Sequence, residues 1–190
     1  MKKTFDDFVS GLTQIEQKLV ACYTSLFETY EPETVLEVGS GWGIFSGALL
    51  HTLTEAKVTT IDKIEVKGRP DFNANTAGFE DRIERIVGDS KGVLPKLKAE
   101  GRMFDWAFVD GSHSYEDAMH DMLYAWGMIK DGGYMLVDDV FHKHNWDEEK
   151  DYGVTRALWD WANRYAQFEN ISIWVVGSGG LAMIHKHGEK

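Results

Sequence analysis

The distribution of apolar residues changes character twice along the chain. Between residues 4 and 29, Phe5, Phe8, Leu12, Ile15, Leu19, Tyr23, Leu26 and Phe27 recur mostly at three- and four-residue steps, the spacing that lines one face of an α-helix. Thr4, with Asp7 three residues on, supplies a start for this helix, and Glu31-Pro32-Glu33 supplies its end. From Thr34 the apolar residues gather instead in short runs that end in Gly or Asp: Thr34–Val38, Lys57–Ile61, Ile83–Val87, Phe104–Val109 and Tyr134–Val137. Helices are predicted between them at Ile44–Thr54, near Asn73–Glu80, at Ser90–Ala99 and at Tyr115–Ile129. Lys130-Asp131-Gly132-Gly133 reads as a helix stop and a turn. Strands that alternate with helices imply parallel pairing through right-handed crossovers. After a last helix, Tyr152–Phe168, the runs Ile171–Val176 and Leu181–Ile184 flank Gly177-Ser178-Gly179-Gly180, which predicts an antiparallel hairpin. The expectation is a single α/β domain over residues 1–190. Its doubly wound sheet has seven strands, mostly parallel, with helices on both faces and residues 1–30 as a helical cover.

Composition narrows the partners. A length of 190 residues suits one domain, and 43% hydrophobic residues are enough for a core. The formal net charge of −11 repels a phosphate backbone, so no nucleic-acid partner is expected; Lys63, Lys67 and Arg69 form the only short basic cluster. No stretch of 18 apolar residues exists, so no membrane-spanning helix is expected. The opening MKKTFDDF carries no apolar run after its lysines, which argues against a signal peptide, and Cys22 is the sole cysteine. Both suit a reducing, cytoplasmic setting, in which the Asn170-Ile171-Ser172 sequon has no role. A homo-oligomer is one of the states the sequence leaves open.

The richest motif is Val35-Leu36-Glu37-Val38-Gly39-Ser40-Gly41-Trp42-Gly43-Ile44, between the first strand and the first crossover helix. Glycines there let the backbone turn tightly and let a ligand approach main-chain atoms. A dinucleotide site wants its third glycine three positions after the second, where Ile44 stands, so NAD is disfavoured. The pattern Glu-x-Gly-x-Gly-x-Gly instead resembles the first motif of class I S-adenosylmethionine methyltransferases, and the resemblance runs from Thr34 to Ile184. It implies a Rossmann-like domain whose cofactor-binding residues are Glu37, Gly39, Ser40, Gly41, Gly43, Asp62, Asp89 and Ser90. Asp62, at the end of the second strand, is then assigned to the ribose hydroxyls, its alternative being a cap on the next segment. Asp89 is assigned to the adenine amino group, or it simply caps the helix that starts near Ser90.

A second group of acids follows the fourth and fifth strands, in Val109-Asp110-Gly111-Ser112-His113-Ser114-Tyr115 and Leu136-Val137-Asp138-Asp139-Val140. Asp110 and Asp138 are 28 positions apart, about one strand–helix–strand unit. Neighbouring strands would bring their ends to roughly 5 Å. Three close carboxylates repel one another unless a hard cation such as Mg²⁺ neutralises them; the alternative is a helix cap plus a solvated loop. Metal-dependent O-methyltransferases are similar at these positions, and Asp-Gly-Ser-His-x-Tyr, the later Asp-Asp and Gly153-Val154 look closest to the sugar- and macrolide-tailoring group. The resemblance implies Asp110, Asp138 and Asp139 as metal ligands. The catechol group carries Lys three residues after its first metal Asp, and His113 stands there in this chain. An imidazole titrates near neutrality, so His113 is the candidate general base, against a surface or capping role.

The resulting expectation is methyl transfer from S-adenosylmethionine, assisted by Mg²⁺ or another divalent cation, to a hydroxyl of a small molecule. Trp42, Phe141 and Trp146 are candidate walls of the site, and the first helix a candidate part of a lid. His142 and His144 read more simply as loop residues, and Asp147-Glu148-Glu149 as a solvated charge run. A metal-free N- or C-methyltransferase and a non-methylating S-adenosylmethionine-binding protein are the competing readings.

Overall fold

The computed structural model describes residues 4–63, 70–141, 152–165, 171–174 and 180–187. The chain opens with two helices where one was expected. Helix α1 (Phe5–Ser10) starts at a capping box between Thr4 and Asp7, as the sequence suggested. It stops at Gly11, and α2 (Gln14–Tyr30) restarts from a second capping box between Thr13 and Glu16. The apolar stripe continues across the break, so periodicity alone hides it. Two reciprocal cap hydrogen bonds satisfy the exposed amides of the new helix start. Glu31 ends α2 in the left-handed region, at φ 45°.

The remaining elements are β1 (Thr34–Val38), α3 (Ile44–Thr52), β2 (Lys57–Asp62), α4 (Pro70–Asn75), β3 (Ile83–Val87), α5 (Ser90–Ala99) and β4 (Phe104–Val109). They continue with α6 (Tyr115–Trp126), β5 (Ile129–Val137), α7 (Gly153–Tyr165), β6 (Ile171–Trp174) and β7 (Leu181–His185). The described strands form one seven-stranded sheet in the order β3-β2-β1-β4-β5-β7-β6. Strands β1 to β5 pair in parallel, whereas β7 is antiparallel to both β5 and β6. The last strand therefore inserts between β5 and β6. Most of the predicted Gly177–Gly180 turn, with Val175 and Val176, lies outside the described residues.

Two boundaries moved. Helix α6 ends at Trp126 rather than Ile129, and Lys130–Gly133 joins β5 instead of forming a free turn. Exchange of main-chain hydrogen bonds with Lys186 explains this: Gly132 N–H donates to the Lys186 carbonyl (2.7 Å) and Lys186 N–H to that of Gly133 (2.9 Å). Helix α4 starts and ends earlier than the predicted Asn73–Glu80 stretch and overlaps it at Asn73–Asn75. The last helix is described over Gly153–Tyr165.

Strand β1 is buried along Val35–Val38, as a central strand covered on both faces must be. One core cluster joins Leu36, Val38, Ile61, Ala107 and Val109 to α5, α6 and α7 through Leu94, Met122 and Trp161. The other joins Val35, Val58, Trp106 and Phe108 to α1, α2 and α3 through Phe8, Tyr23, Phe27 and Phe45. Burial on both faces fixes the register and leaves the carboxyl ends of β1, β2, β4 and β5 aligned at one edge. No helix among the described residues is long and apolar enough to cross a membrane.

Candidate active site

The glycine loop turns three times in the left-handed region, at Gly39 (φ 90°), Gly41 (φ 45°) and Gly43 (φ 73°). The reasons differ along it. A Cβ on Gly39 would lie 2.0 Å from the Asp110 carbonyl oxygen, so this glycine lets β1 and β4 end side by side. A Cβ on Gly41 would meet nothing within 4 Å, so that face of the loop is open. Asp62, at the end of β2, accepts a hydrogen bond from Gly41 N–H (2.9 Å), with Ser40 Oγ 3.4 Å away. Its carboxylate holds the loop at its crest.

Beside the loop lies a cavity of about 390 Å³, lined by Gly39, Gly41, Asp62, Lys63, Gly88 and Ser90, and closed by Asp110, Gly111, Ser112 and Asp121. It sits at the carboxyl ends of β1 to β4, where ligands bind in doubly wound sheets. Of the predicted cofactor residues, Gly39, Gly41, Asp62 and Ser90 face it. Glu37 lies beneath the loop at 1% exposure, where Ser46 Oγ donates to its carboxylate. Burial raises the Glu37 pKa to about 8, partly offset by the Ser46 hydrogen bond and reinforced by the charges of Asp110 and Asp62. Asp89 is the N-cap of α5: it accepts from Lys91 N–H (3.0 Å) and pairs with Lys63 at 3.1 Å. These two contacts hold its pKa down.

Asp110 belongs both to the lining of this cavity and to the second group of acids. Strands β4 and β5 are neighbours with Val109 opposite Val137, so Asp110 and the Asp138-Asp139 pair do converge. Asp139 adopts φ 57°, a left-handed turn that sends the two consecutive carboxylates different ways. Asp139 Oδ2 lies 3.1 Å from His113 Nε2, and Asp110 Oδ1 lies 3.9 Å from the same atom. Donor atoms of Asp110, His113 and Asp139 all fall within 4.8 Å of one another, a grouping able to hold a metal ion. Asp138 instead turns toward α2, where Tyr23 Oη donates to its Oδ2 at 3.2 Å, while Asp139 N–H donates to its Oδ1 at 2.8 Å. A Cβ on Gly153 would lie 2.3 Å from the His113 carbonyl oxygen, so α7 starts directly against the backbone that carries His113.

The electrostatics match this crowding. Desolvation raises the Asp110 pKa, with His113 opposing it and the charge of Asp139 adding to it. Burial raises that of Asp138, and the charge of Asp110 raises it further. Pairing with Asp110 raises the His113 pKa most; burial opposes it, and the charges of Asp139 and Asp138 add to it.

Two residues of the site carried no role in the sequence reading. Tyr23 belongs to the apolar stripe of α2 and nothing local marks it. Asp121 is an acid among the buried Ala118, Met122 and Ala125 of α6, a break in an apolar face that was a usable signal. Trp42 (55% exposed) and Phe141 (43% exposed) stand in solvent near the loops that bear the site. Trp146, His142, His144, Lys67, Arg69, the 147–149 charge run and Asn170 lie outside the described residues.

A doubly wound sheet with a glycine loop after β1, an acid after β2 and a carboxylate cluster after β4 and β5 is the arrangement of the nucleotide-binding class of α/β folds. A family model described as "Methyltransferase domain" matches residues 36–140, and the chain belongs to that family. It is similar to the caffeoyl-CoA O-methyltransferase of Stellaria longipes, 29% identical over 125 residues, or 60% of this chain and 49% of that protein. It is also similar to the catechol O-methyltransferase of Bos taurus, 27% identical over 123 residues, or 59% and 43% of the two chains. The chain spans about half the length of the curated relatives it matches. Among solved structures, the O-methyltransferase TomG from Streptomyces achromogenes, in complex with S-adenosylmethionine, superposes with a TM-score of 0.75 at 21% identity, covering 98% of this chain and 92% of TomG. An O-methyltransferase from Bacillus cereus in complex with S-adenosylhomocysteine gives 0.71 at 19% identity, covering 92% and 82%. At these identities the two structures establish the fold.

Proposed function

We propose that this protein transfers the methyl group of S-adenosylmethionine to a hydroxyl of a small molecule, with a divalent cation, Mg²⁺ in the first place, held at the carboxyl edge of the sheet. The observation that carries this reading is a single cavity bounded at one end by the glycine loop and at the other by Asp110. Cofactor and acceptor sites then share a wall. The volume falls within the roughly 300–1,000 Å³ of small-molecule clefts. The open face of Gly41 and the Asp62 carboxylate in the cavity lining fit a nucleoside-bearing cofactor. Crowded carboxylates beside an imidazole fit a hard cation, since oxygen donors with raised pKa values gain most from a neutralising charge.

When bound, the cofactor supplies an electrophilic sulfonium methyl, and the cation supplies a positive charge that lowers the pKa of a nearby hydroxyl. The chain's own contribution is positioning and proton handling. The loop from Gly39 to Gly43 and Asp62 orient one reactant, and the Asp110–Asp139 edge orients the other, which removes much of the entropic barrier to reaction. His113 Nε2 accepts the hydroxyl proton as general base. Its pKa is raised by pairing with Asp110 and by the charges of Asp139 and Asp138, so a cation that neutralised those carboxylates would lower it toward that of a free base. Asp110 and Asp139 would supply the carboxylate donors; Asp138 would join them only by giving up its hydrogen bond from Tyr23. The short spacing of His113 to both acids favours one second reading, in which the imidazole is itself a ligand. A single free cysteine, Cys22, suits a cytoplasmic setting.

The test is release of S-adenosylhomocysteine from S-adenosylmethionine over a panel of sugar and phenolic hydroxyl acceptors, with and without chelator. Turnover should vanish on chelation and return with Mg²⁺. Turnover that survives exhaustive chelation would promote a metal-free methyltransferase. Absence of cofactor binding would remove the reading altogether.

A further inference from the structure

Asp138 stands beside the group formed by Asp110, His113 and Asp139 but outside it, and the reason lies in α2. Tyr23 is buried, with its ring edge-to-face against Phe45 (5.2 Å between centroids) and Phe108 (5.6 Å). That packing fixes where the phenol points, and its Oη donates to Asp138 Oδ2 at 3.2 Å. Asp138 Oδ1 accepts from the neighbouring Asp139 N–H at 2.8 Å. Donor atoms of Asp110, His113 and Asp139 converge within 4.8 Å, and those of Asp138 are not among them. One of the two restraints on Asp138 is therefore local to its own loop. The other comes from a helix 115 positions away in the chain.

Keeping one carboxylate away from a cation has a chemical use. Mg²⁺ demands octahedral geometry, gives up water reluctantly and is usually held by only one or two carboxylates. With Asp110 and Asp139 as the carboxylate donors, positions stay open for water and for an acceptor oxygen. A third carboxylate would fill one of those positions and add a negative charge that tightens binding. We propose that Tyr23 is a positioning residue whose hydrogen bond holds Asp138 out of the cation's coordination shell, so that α2 weakens cation binding and keeps a coordination position for the acceptor. The proposal rests on the divalent-cation reading of the site. It gives the helical cover a role at the reacting edge that its apolar stripe does not announce.

Tyr23→Phe removes one oxygen and retains the ring that packs on Phe45 and Phe108. Asp138 Oδ2 then loses its donor, and a carboxylate oxygen left unpaired away from water is costly. The cation becomes its best remaining partner. Calorimetric titration of the full chain with Mg²⁺ should show an affinity roughly tenfold higher in Tyr23→Phe than in the wild type, the worth of one hydrogen bond to a charged acceptor. Damage to the fold would lower the affinity, not raise it. Asp138→Asn should cancel the gain, so that Tyr23→Phe changes Mg²⁺ affinity little in that background. Independently of any change at Tyr23, Asp139→Asn should weaken Mg²⁺ far more than Asp138→Asn. Unchanged or weaker binding by a folded Tyr23→Phe, a gain that persists alongside Asp138→Asn, or equal losses in the two Asp variants each overturns the proposal and leaves the cation reading in place. Failure of the wild type and Tyr23→Phe alike to bind Mg²⁺ or Mn²⁺ overturns the cation reading as well.

Discussion

Glu37 gives the sharpest test of the physical picture, because its environment predicts a pH dependence of folding that one substitution should erase. The residue is wholly buried under the glycine loop, and its pKa is raised from 4.5 to about 8. Below pH 4.5 it is protonated whether the chain is folded or not, and its burial costs no ionisation energy. Between 4.5 and 8 the folded protein keeps a proton that the unfolded chain releases, so stability falls as pH rises, by up to about 1.4 kcal/mol per pH unit. Above about 8 the loss is complete, on the order of 5 kcal/mol, a large share of the roughly 5–15 kcal/mol that holds a domain together. Glu37→Gln removes the ionisation and retains an acceptor for Ser46 Oγ. A constant offset of about 1 kcal/mol from the altered hydrogen bond is expected, but no slope from this site. Urea denaturation of both proteins without cofactor at pH 5, 6.5 and 8 measures the difference. The stability of the variant relative to the wild type should climb through that window. Parallel curves would mean that Glu37 is ionised in the fold and that an unrecognised donor sustains it.

Three further outcomes follow from the same geometry. Gly41→Val should abolish S-adenosylmethionine binding while the protein stays folded, since the branched side chain would enter the open face of the loop at φ 45°; unchanged affinity by calorimetry in a folded variant would refute the cofactor assignment. Gly39→Ala should destabilise the protein by about 3 kcal/mol or more, because its Cβ would lie 2.0 Å from the Asp110 carbonyl oxygen at φ 90°; a melting temperature within a degree of wild type would contradict the close approach of β1 and β4. His113→Ala should lower turnover by roughly a hundredfold to ten-thousandfold as a lost base, with Mg²⁺ still raising the melting temperature by mass action; loss of that Mg²⁺ effect would make the imidazole a ligand instead.

Much of this protein was legible because its signals are local. A capping box acts over three residues, which is why Thr4 and Asp7 announced the start of α1. The helix break at Gly11 carried the same kind of signal in Thr13 and Glu16, yet the uninterrupted apolar stripe concealed it. Glycines after a strand and acids at strand ends were readable for the same reason: each marks a turn at the edge of the sheet within a few residues. The sequence thus determined the alternation of strands and helices, the glycine loop, and the placing of Asp62, Asp110 and the Asp138-Asp139 pair at the ends of their strands.

Tertiary structure decided what lies across those edges. It placed β7 between β5 and β6, drew Lys130–Gly133 into the sheet through Lys186, and set Tyr23 against Asp138, 115 positions away. It sent Asp89 to a surface cap and Asp121 into the cavity wall, although both are acids near the start or middle of a helix. It also parted Asp138 from Asp139 by one left-handed residue. Apart from the break that Asp121 makes in the apolar face of α6, no short-range pattern encodes these outcomes. They depend on which helix covers which face of the sheet, and that is fixed by the joint burial of side chains far apart in the chain.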